Sequence, residues 1–191
     1  MLILASQSPR RAELLKKLNI PFTVRVADID EAMDPLVLPE DEVARVSYEK
    51  AMAVRRQAGD VVIAADTIVV LDGQVLGKPE NEADAAYTLS RLSGRPHQVM
   101  TGITVVKDDL ALTHTEITQV HFRPLSREEI RRYVASGDPM DKAGSYGIQN
   151  GAALFVSAIE GDYFNVMGLP VCRLWQMLQK IAPELTTEET L

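Results

Sequence analysis

Val61-Val62-Ile63-Ala64-Ala65-Asp66-Thr67-Ile68-Val69-Val70-Leu71 is an apolar, β-branched run that ends at Asp72-Gly73, with Gln74 to Leu76 behind it. Asp-Gly after such a run is the strongest short-range hairpin signal, so the stretch predicts a strand and its return. Asp66 interrupts it. A carboxylate in an apolar strand is expensive to bury unpaired, so a divalent metal, a lysine or exposure in a cleft has to compensate it. A carboxylate so placed is able to orient or deprotonate an attacking water; the plainer alternative is that strand alternation points it outward.

On the N-terminal side, Leu2-Ile3-Leu4-Ala5 reads as a short buried strand and Ala12 to Leu18 as a helix, making a strand–turn–helix unit. Phe22 to Val26 alternates weakly as a second strand. An acidic, proline-bearing connection from Asp28 to Pro39 leads into a helix from Glu40 to about Ala58, with Val43, Val46 and Ala51 on its apolar face. On the C-terminal side, Asn81 to Ser93 reads as a helix closed by Gly94, followed by β-rich stretches at His97 to Val106 and Thr113 to Phe122. Ser126-Arg127-Glu128-Glu129 fits a capping box for a helix ending near Gly137. Ala153 to Ile159 and Tyr163 to Val166, joined by Glu160-Gly161-Asp162, predict another hairpin before a last helix that starts at Pro170 and stops near Pro183. Interspersed helices and hairpin-linked strands, without a long polar linker or repeat, predict an α/β fold with a mixed twisted sheet and flanking helices. Residues 1–183 are expected to form one domain, and Glu184 to Leu191 a frayed polar tail.

The 191 residues are 46% hydrophobic and 25% charged, which excludes disordered, collagenous and fibrous classes. With 20 Lys and Arg against 27 Asp and Glu, the net charge of −7 gives no overall attraction to nucleic acid or an anionic membrane, so an anionic ligand needs a local site. The single Cys172 has no intramolecular disulfide partner and is expected to be buried and inert. Met1 to Ala5 is too short an apolar opening for a signal peptide or a membrane span, which makes the cytoplasm the expected compartment. His97, His114 and His121 lack the close pairing of zinc ligands; His97 and His121 read as structural. Gly73-x-x-x-Gly77-Lys78 is one residue short of a P-loop and has Pro79 where Ser or Thr would hold magnesium.

Ser8 is a good N-cap and Pro9 an ideal first helical residue, which puts Arg10 and Arg11 in the first turn. Two arginines beside the positive end of a helix dipole cost roughly 0.3–1 kcal/mol each unless an anion sits there. Ser hydroxyls, free N–H groups and two guanidinium forks suit a polyphosphate; a solvated helix start is the alternative. Lys50 and Lys78 say little individually. Glu31, in Asp28-Ile29-Asp30-Glu31, reads as a metal ligand or as part of an acidic loop. Asp141-Lys142-Ala143-Gly144-Ser145-Tyr146-Gly147-Ile148-Gln149 is a Gly-spaced loop with an aromatic ring and an amide, suited to a base or simply to a turn. Leu174, Trp175, Met177 and Leu178 have the spacing of a helix core face.

Taken together, Leu4-Ala5-Ser6-Gln7-Ser8-Pro9-Arg10-Arg11, Glu49-Lys50-Ala51, Ala65-Asp66-Thr67, Gly77-Lys78-Pro79, Leu92-Ser93-Gly94, Thr101-Gly102, the 141–149 loop and Gly168-Leu169-Pro170 resemble the Maf family of nucleotide pyrophosphatases. That family was first associated with septum formation in bacteria. The resemblance implies hydrolysis of a nucleoside triphosphate to the monophosphate and pyrophosphate with a divalent cation, magnesium or manganese. It also implies a cleft between two lobes of an inosine-triphosphatase-like fold. By the same resemblance, Asp66 accepts the proton of water, Ser6, Arg11, Lys50 and Lys78 hold phosphates, and Glu31 joins Asp66 at the metal. Three positions separate the substrate branches. Arg10, Thr67 and Gln149 resemble the branch acting on dTTP, UTP and some modified pyrimidine forms, whereas Trp, Gln and Glu mark the 7-methyl-GTP branch. A neutral amide suits a pyrimidine edge, having both a donor and an acceptor. Asn150-Gly151 after Gln149 is a small variation on the pattern. Homodimerisation is a family expectation. Two other readings stay open: a non-catalytic nucleotide sensor in septum formation, and a housecleaning enzyme for deaminated purine triphosphates.

Overall fold

Along the chain, the computed structural model describes residues 1–26, 28–54 and 56–187 and runs β1 (Leu2–Leu4), α1 (Pro9–Lys16), β2 (Phe22–Val24), α2 (Pro39–Ala53), β3 (Val61–Leu71) and β4 (Gln74–Leu76). It continues with α3 (Glu82–Leu92), β5 (Pro96–Lys107), β6 (Leu110–Phe122), α4 (Arg127–Ala135), β7 (Val156–Glu160), α5 (Tyr163–Met167) and α6 (Val171–Ile181). One 7-stranded sheet has the order β2-β1-β3-β5-β6-β7, with β4 paired to β3. β1 pairs parallel with β2 and β3, whereas β3–β4 and β6–β7 are antiparallel, so the sheet is mixed as the sequence predicts. Asp72 and Gly73 both take positive φ, 52° and 76°, the combination a two-residue primed turn requires between β3 and β4.

The chain divides into two compact units. The first comprises Met1–Asp66, Thr101–Glu116 and Gly168–Leu191. Its core joins Ile3 and Ala5, Val62 and Ala64, and Val106 to Ala51 and Val54 at the end of α2. Pro39 opens α2, and Glu40, Asp41 and Glu42 in its first turn offset the helix dipole in place of a side-chain cap. Helix and strand meet at Gly102 of β5, where an added Cβ would stand 2.2 Å from the Val43 carbonyl oxygen. Close by, Ser47 Oγ and Thr104 Oγ1 share a buried 2.8 Å hydrogen bond. The Thr101-Gly102 signature thus marks a backbone-to-backbone approach.

The second unit comprises Thr67–Met100 and Ile117–Met167. Its core gathers Val69 and Leu71, Leu89 and Leu92 of α3, Val120 and Phe122 of β6, Tyr133 and Val134 of α4, and Tyr146 and Ile148 of the loop after α4. Asn81 caps α3, and α4 begins with the expected capping box, Ser126 and Glu129 each accepting the other's backbone N–H.

Several elements differ from expectation. α1 starts at Pro9 under the Ser8 cap and stops at Lys16, because Asn19 turns left-handed at φ 54°. α2 ends at Ala53 rather than Ala58. Tyr163–Met167 is helical and not the return strand of a hairpin: Asp162 accepts the Phe164 N–H, which starts a helical turn, and β7 pairs with β6 instead. Residues Gly151–Leu154 form a 3-10 turn ahead of β7. Cys172 is exposed, not buried, because α6 turns Leu174, Met177, Leu178 and Ile181 inward and position 172 falls on the opposite side. Trp175 of the expected core face is only half-buried. At the tail, Glu184 is fastened to Lys107 at 2.7 Å; the last four residues of the expected fray lie outside the described residues.

Because the atoms facing Gly102 are backbone, Gly102→Ala has no flexible neighbour to displace. Overpacking of this kind costs typically about 1–3 kcal/mol, and the upper end applies here. Thermal unfolding of Gly102→Ala is expected at least about 5 °C below wild type; an unchanged Tm would show that helix and strand are not held at this distance.

Candidate active site

Of the eleven residues of β3, nine are buried; the two half-buried ones are Asp66 and Thr67. Asp66 has the lysine partner its position demands. Lys50, on the last turn of α2, brings Nζ to 2.7 Å from Asp66 Oδ1 and 2.9 Å from Glu31 Oε2. The Lys50 and Asp66 side chains are 10% and 13% exposed, so this pair is largely withdrawn from water, whereas Glu31 at 57% reaches in from the surface.

Glu31 lies on an irregular segment with its own anchor. Buried Glu42 accepts the Asp34 N–H at 2.8 Å and two hydrogen bonds from Arg45, which in turn donates to the Ala32 carbonyl and to Glu49. Hydrogen bonding from Arg45, aided by the Asp34 amide, pulls the Glu42 carboxyl down to about 2. Glu42 and Arg45 were not singled out from the sequence, where a Glu-x-x-Arg pair on a helix reads as a solvated face.

Arg11 is half-buried at the start of α1. Its Nε donates to the Gly168 carbonyl at 2.8 Å and its Nη1 to Ser6 Oγ at 3.2 Å, and Ser6 Oγ also accepts the Ser8 N–H. Burial lowers the Arg11 pKa from its ordinary value, against the attraction of Asp66 and Glu31 and with the repulsion of Arg10. Ser6, Arg10, Arg11, Glu31, Lys50 and Asp66 therefore belong to one neighbourhood of the first unit. Gly168, at φ 108°, supplies the carbonyl that fixes the Arg11 fork, a role its signature did not disclose.

Lys78, Thr67 and Gln149 belong to the second unit. Lys78 is exposed after β4; Gln149 is half-buried. Their segments are tied together by Gly144, whose N–H donates to the Gly77 carbonyl at 3.0 Å. A Cβ on Gly144 would lie 2.7 Å from Val69, two residues beyond Thr67 on the same face of β3. Tyr146 reaches His97 Nε2 at 2.8 Å inside an aromatic cluster with Phe122.

The family description "Maf-like protein" matches residues 1–181. This chain belongs to the Maf family. Among Maf relatives, a protein named dTTP/UTP pyrophosphatase from Symbiobacterium thermophilum is 52% identical over 187 residues, covering 97% of this chain and 96% of its own length. Another of that name from Bacillus mycoides is 45% identical over 186 residues, covering 97% of each chain. The structure of a HAM1 protein from Coxiella burnetii shares the fold, with a TM-score of 0.51 at 16% identity over 94% of this chain and 98% of that one.

No cluster of three or more His, Cys, Asp or Glu residues able to hold a metal ion occurs among the described residues. Asp66 and Glu31 converge instead on one ammonium. Two carboxylates fit a hard divalent cation only as part of its ligand set, with water or substrate oxygens completing it. Nor is any helix among the described residues long and apolar enough to cross a membrane.

His97 gives this Maf protein a pH signature. Burial lowers its pKa to about 4, since a charged imidazolium here would be cut off from water. In the unfolded chain it titrates near 6.5. Between these values the unfolded state binds the extra proton, so stability is intact above about pH 6.5 and falls as pH drops toward 4. His97→Gln, which keeps a polar group facing Tyr146, is expected to flatten that decline in denaturation midpoints; an equally steep decline in the variant would assign it to other groups.

Proposed function

We propose that this Maf protein hydrolyses dTTP and UTP to the monophosphate and pyrophosphate, with Asp66 as the proton acceptor. The observation that carries the reading is the placement of Asp66, a half-buried carboxylate midway along a strand buried at all positions but Asp66 and Thr67, braced by the nearly buried Lys50 and beside Arg11. The names of its relatives, dTTP/UTP pyrophosphatase, support the substrate class.

In this mechanism the water oxygen attacks the α-phosphorus while its proton passes to the Asp66 carboxylate. The bond from the α-phosphorus to the bridging oxygen breaks, and that oxygen leaves with its electron pair as part of pyrophosphate. Lys50 holds Oδ1, which fixes the carboxylate and directs Oδ2 to the water. Ser6, Arg11, Lys50 and Lys78 bind the phosphates and stabilise the charge gathering on the leaving group. Asp66 and Glu31 would hold a divalent cation, magnesium or manganese, which withdraws negative charge from the phosphates when bound. Arg10, Thr67 and Gln149 select the pyrimidine. The same reading places the enzyme in the cytoplasm, clearing the nucleotide pool, with a link to cell division.

The test measures pyrophosphate release from dTTP, UTP, CTP, ITP, GTP and 7-methyl-GTP by wild type and Asp66→Asn, with magnesium or manganese. Wild type is expected to favour dTTP and UTP, and Asp66→Asn to lose at least about 100-fold in kcat while remaining folded, at a lower Tm because Lys50 loses its charged partner. Near-wild-type turnover in a folded Asp66→Asn would remove Asp66 from the mechanism, and a purine preference would overturn the substrate reading.

A further inference from the structure

A side-chain amide has a donor and an acceptor on one pivot. Turned one way it matches the 4-oxo and N3–H of uracil or thymine; turned the other way it matches the N3 and 4-amino group of cytosine. Gln149 therefore discriminates between pyrimidines only if the backbone beneath it is fixed in reach and direction. In the second unit a carboxylate outside the residues already assigned is linked to residues on both sides of Gln149.

Asp138 follows α4 and receives three groups. The Tyr133 hydroxyl donates to its Oδ2, Lys142 Nζ stands 3.1 Å from its Oδ1, and the Asn150 side-chain amide donates to that same Oδ1 at 2.6 Å. Lys142 is 7% exposed and also donates to the Asp138 carbonyl at 2.6 Å and to Asp141 at 2.7 Å. The Tyr133 oxygen accepts the Gly147 N–H at 3.1 Å, and the Gly147 carbonyl accepts the Asn150 N–H at 3.1 Å. Gly147 packs so tightly on the Lys142 stem that a Cβ would lie 2.6 Å from its Cε. Gln149 thus stands between two residues, Gly147 and Asn150, that are both fastened through Asp138. Burial works against the Asp138 charge, but the bonds from Tyr133, Asn150 and Lys142 outweigh it and hold the carboxyl below its usual range.

We propose that Asp138 is a specificity-positioning residue, which through Asn150 and the Tyr133–Gly147 bond holds the Gln149 backbone so that its amide favours thymine and uracil over cytosine. The proposal rests on the reading of Gln149 as the base-selecting residue. It also gives Asn150, the small variation after Gln149, a definite task in this chain.

Asn150 is exposed, so Asn150→Ala removes one hydrogen bond to Asp138 with little risk to folding. Steady-state kinetics with dTTP and CTP would compare wild type, Asn150→Ala, Gln149→Ala, the double variant, and Asp138→Asn, with Tm measured for each. Asn150→Ala is expected to lower the dTTP-to-CTP ratio of kcat/KM about fivefold, through the KM for dTTP and not through kcat, at an unchanged Tm. Asp138→Asn shifts the ratio in the same direction. The double variant is expected to match Gln149→Ala alone, because a residue acting through Gln149 has nothing further to lose once the amide is gone. A wild-type ratio in Asn150→Ala and Asp138→Asn, with the ratio reduced in Gln149→Ala, would overturn the positioning role and leave the functional reading standing. Additive losses in the double variant would overturn it as well. An unchanged ratio in Gln149→Ala would refute both the base-selecting role of Gln149 and this proposal, and absence of dTTP hydrolysis in wild type would refute the functional reading itself.

Discussion

An ammonium held between two carboxylates, Lys50 between Asp66 and Glu31, is the interaction on which the first unit depends. A lone Asp66 in an apolar strand would be costly, and removing one member of a largely buried pair typically costs about 3–5 kcal/mol. The pair therefore dictates where α2 lies, since Lys50 meets β3 only if the helix is pressed against the sheet. Gly102 permits that approach, and the Ser47–Thr104 hydrogen bond satisfies the polar groups trapped by it. Arg11 adds a second positive group beside these carboxylates, its Nε held by the Gly168 carbonyl and its Nη1 by Ser6.

The second unit solves a different problem, that of holding a long irregular loop still. It uses backbone contact where side chains would intrude, at Gly144 against Val69 and Gly147 against Lys142. It uses polar bonds where the loop needs direction, a buried one between Tyr146 and His97 and others from Lys142, Tyr133 and Asn150 to Asp138. Networks of this kind specify one arrangement because every unmade bond inside them is expensive.

Much of this was legible in the chain because it is local. The β3 run, its Asp-Gly turn, the Ser8 cap and the Ser126 capping box depend on neighbours within a few positions, and each is found where its residues predict it. The need for a partner at Asp66 was also legible from transfer cost, although spacing alone left metal, lysine and exposure open; the structure supplies the lysine and partial exposure. What was not legible depends on distant groups. The 163–167 segment is the exception, a local one: its composition is strand-like, but the adjacent Asp162 caps it as a helix. Cys172 is exposed because the direction of the α6 core face is fixed by packing. Glu42, Arg45 and Asp138 look like solvated charges until their partners, from Ala32 to Asn150, are brought to them.

In the proposed mechanism this Maf protein directs water to the α-phosphorus of a pyrimidine nucleoside triphosphate. Hydrolysis of dTTP in 18O-labelled water, with the products resolved by mass, then leaves one 18O atom in the thymidine monophosphate and none in the pyrophosphate. Label in the pyrophosphate, or stepwise release of orthophosphate, would place the attack at another phosphorus and contradict it.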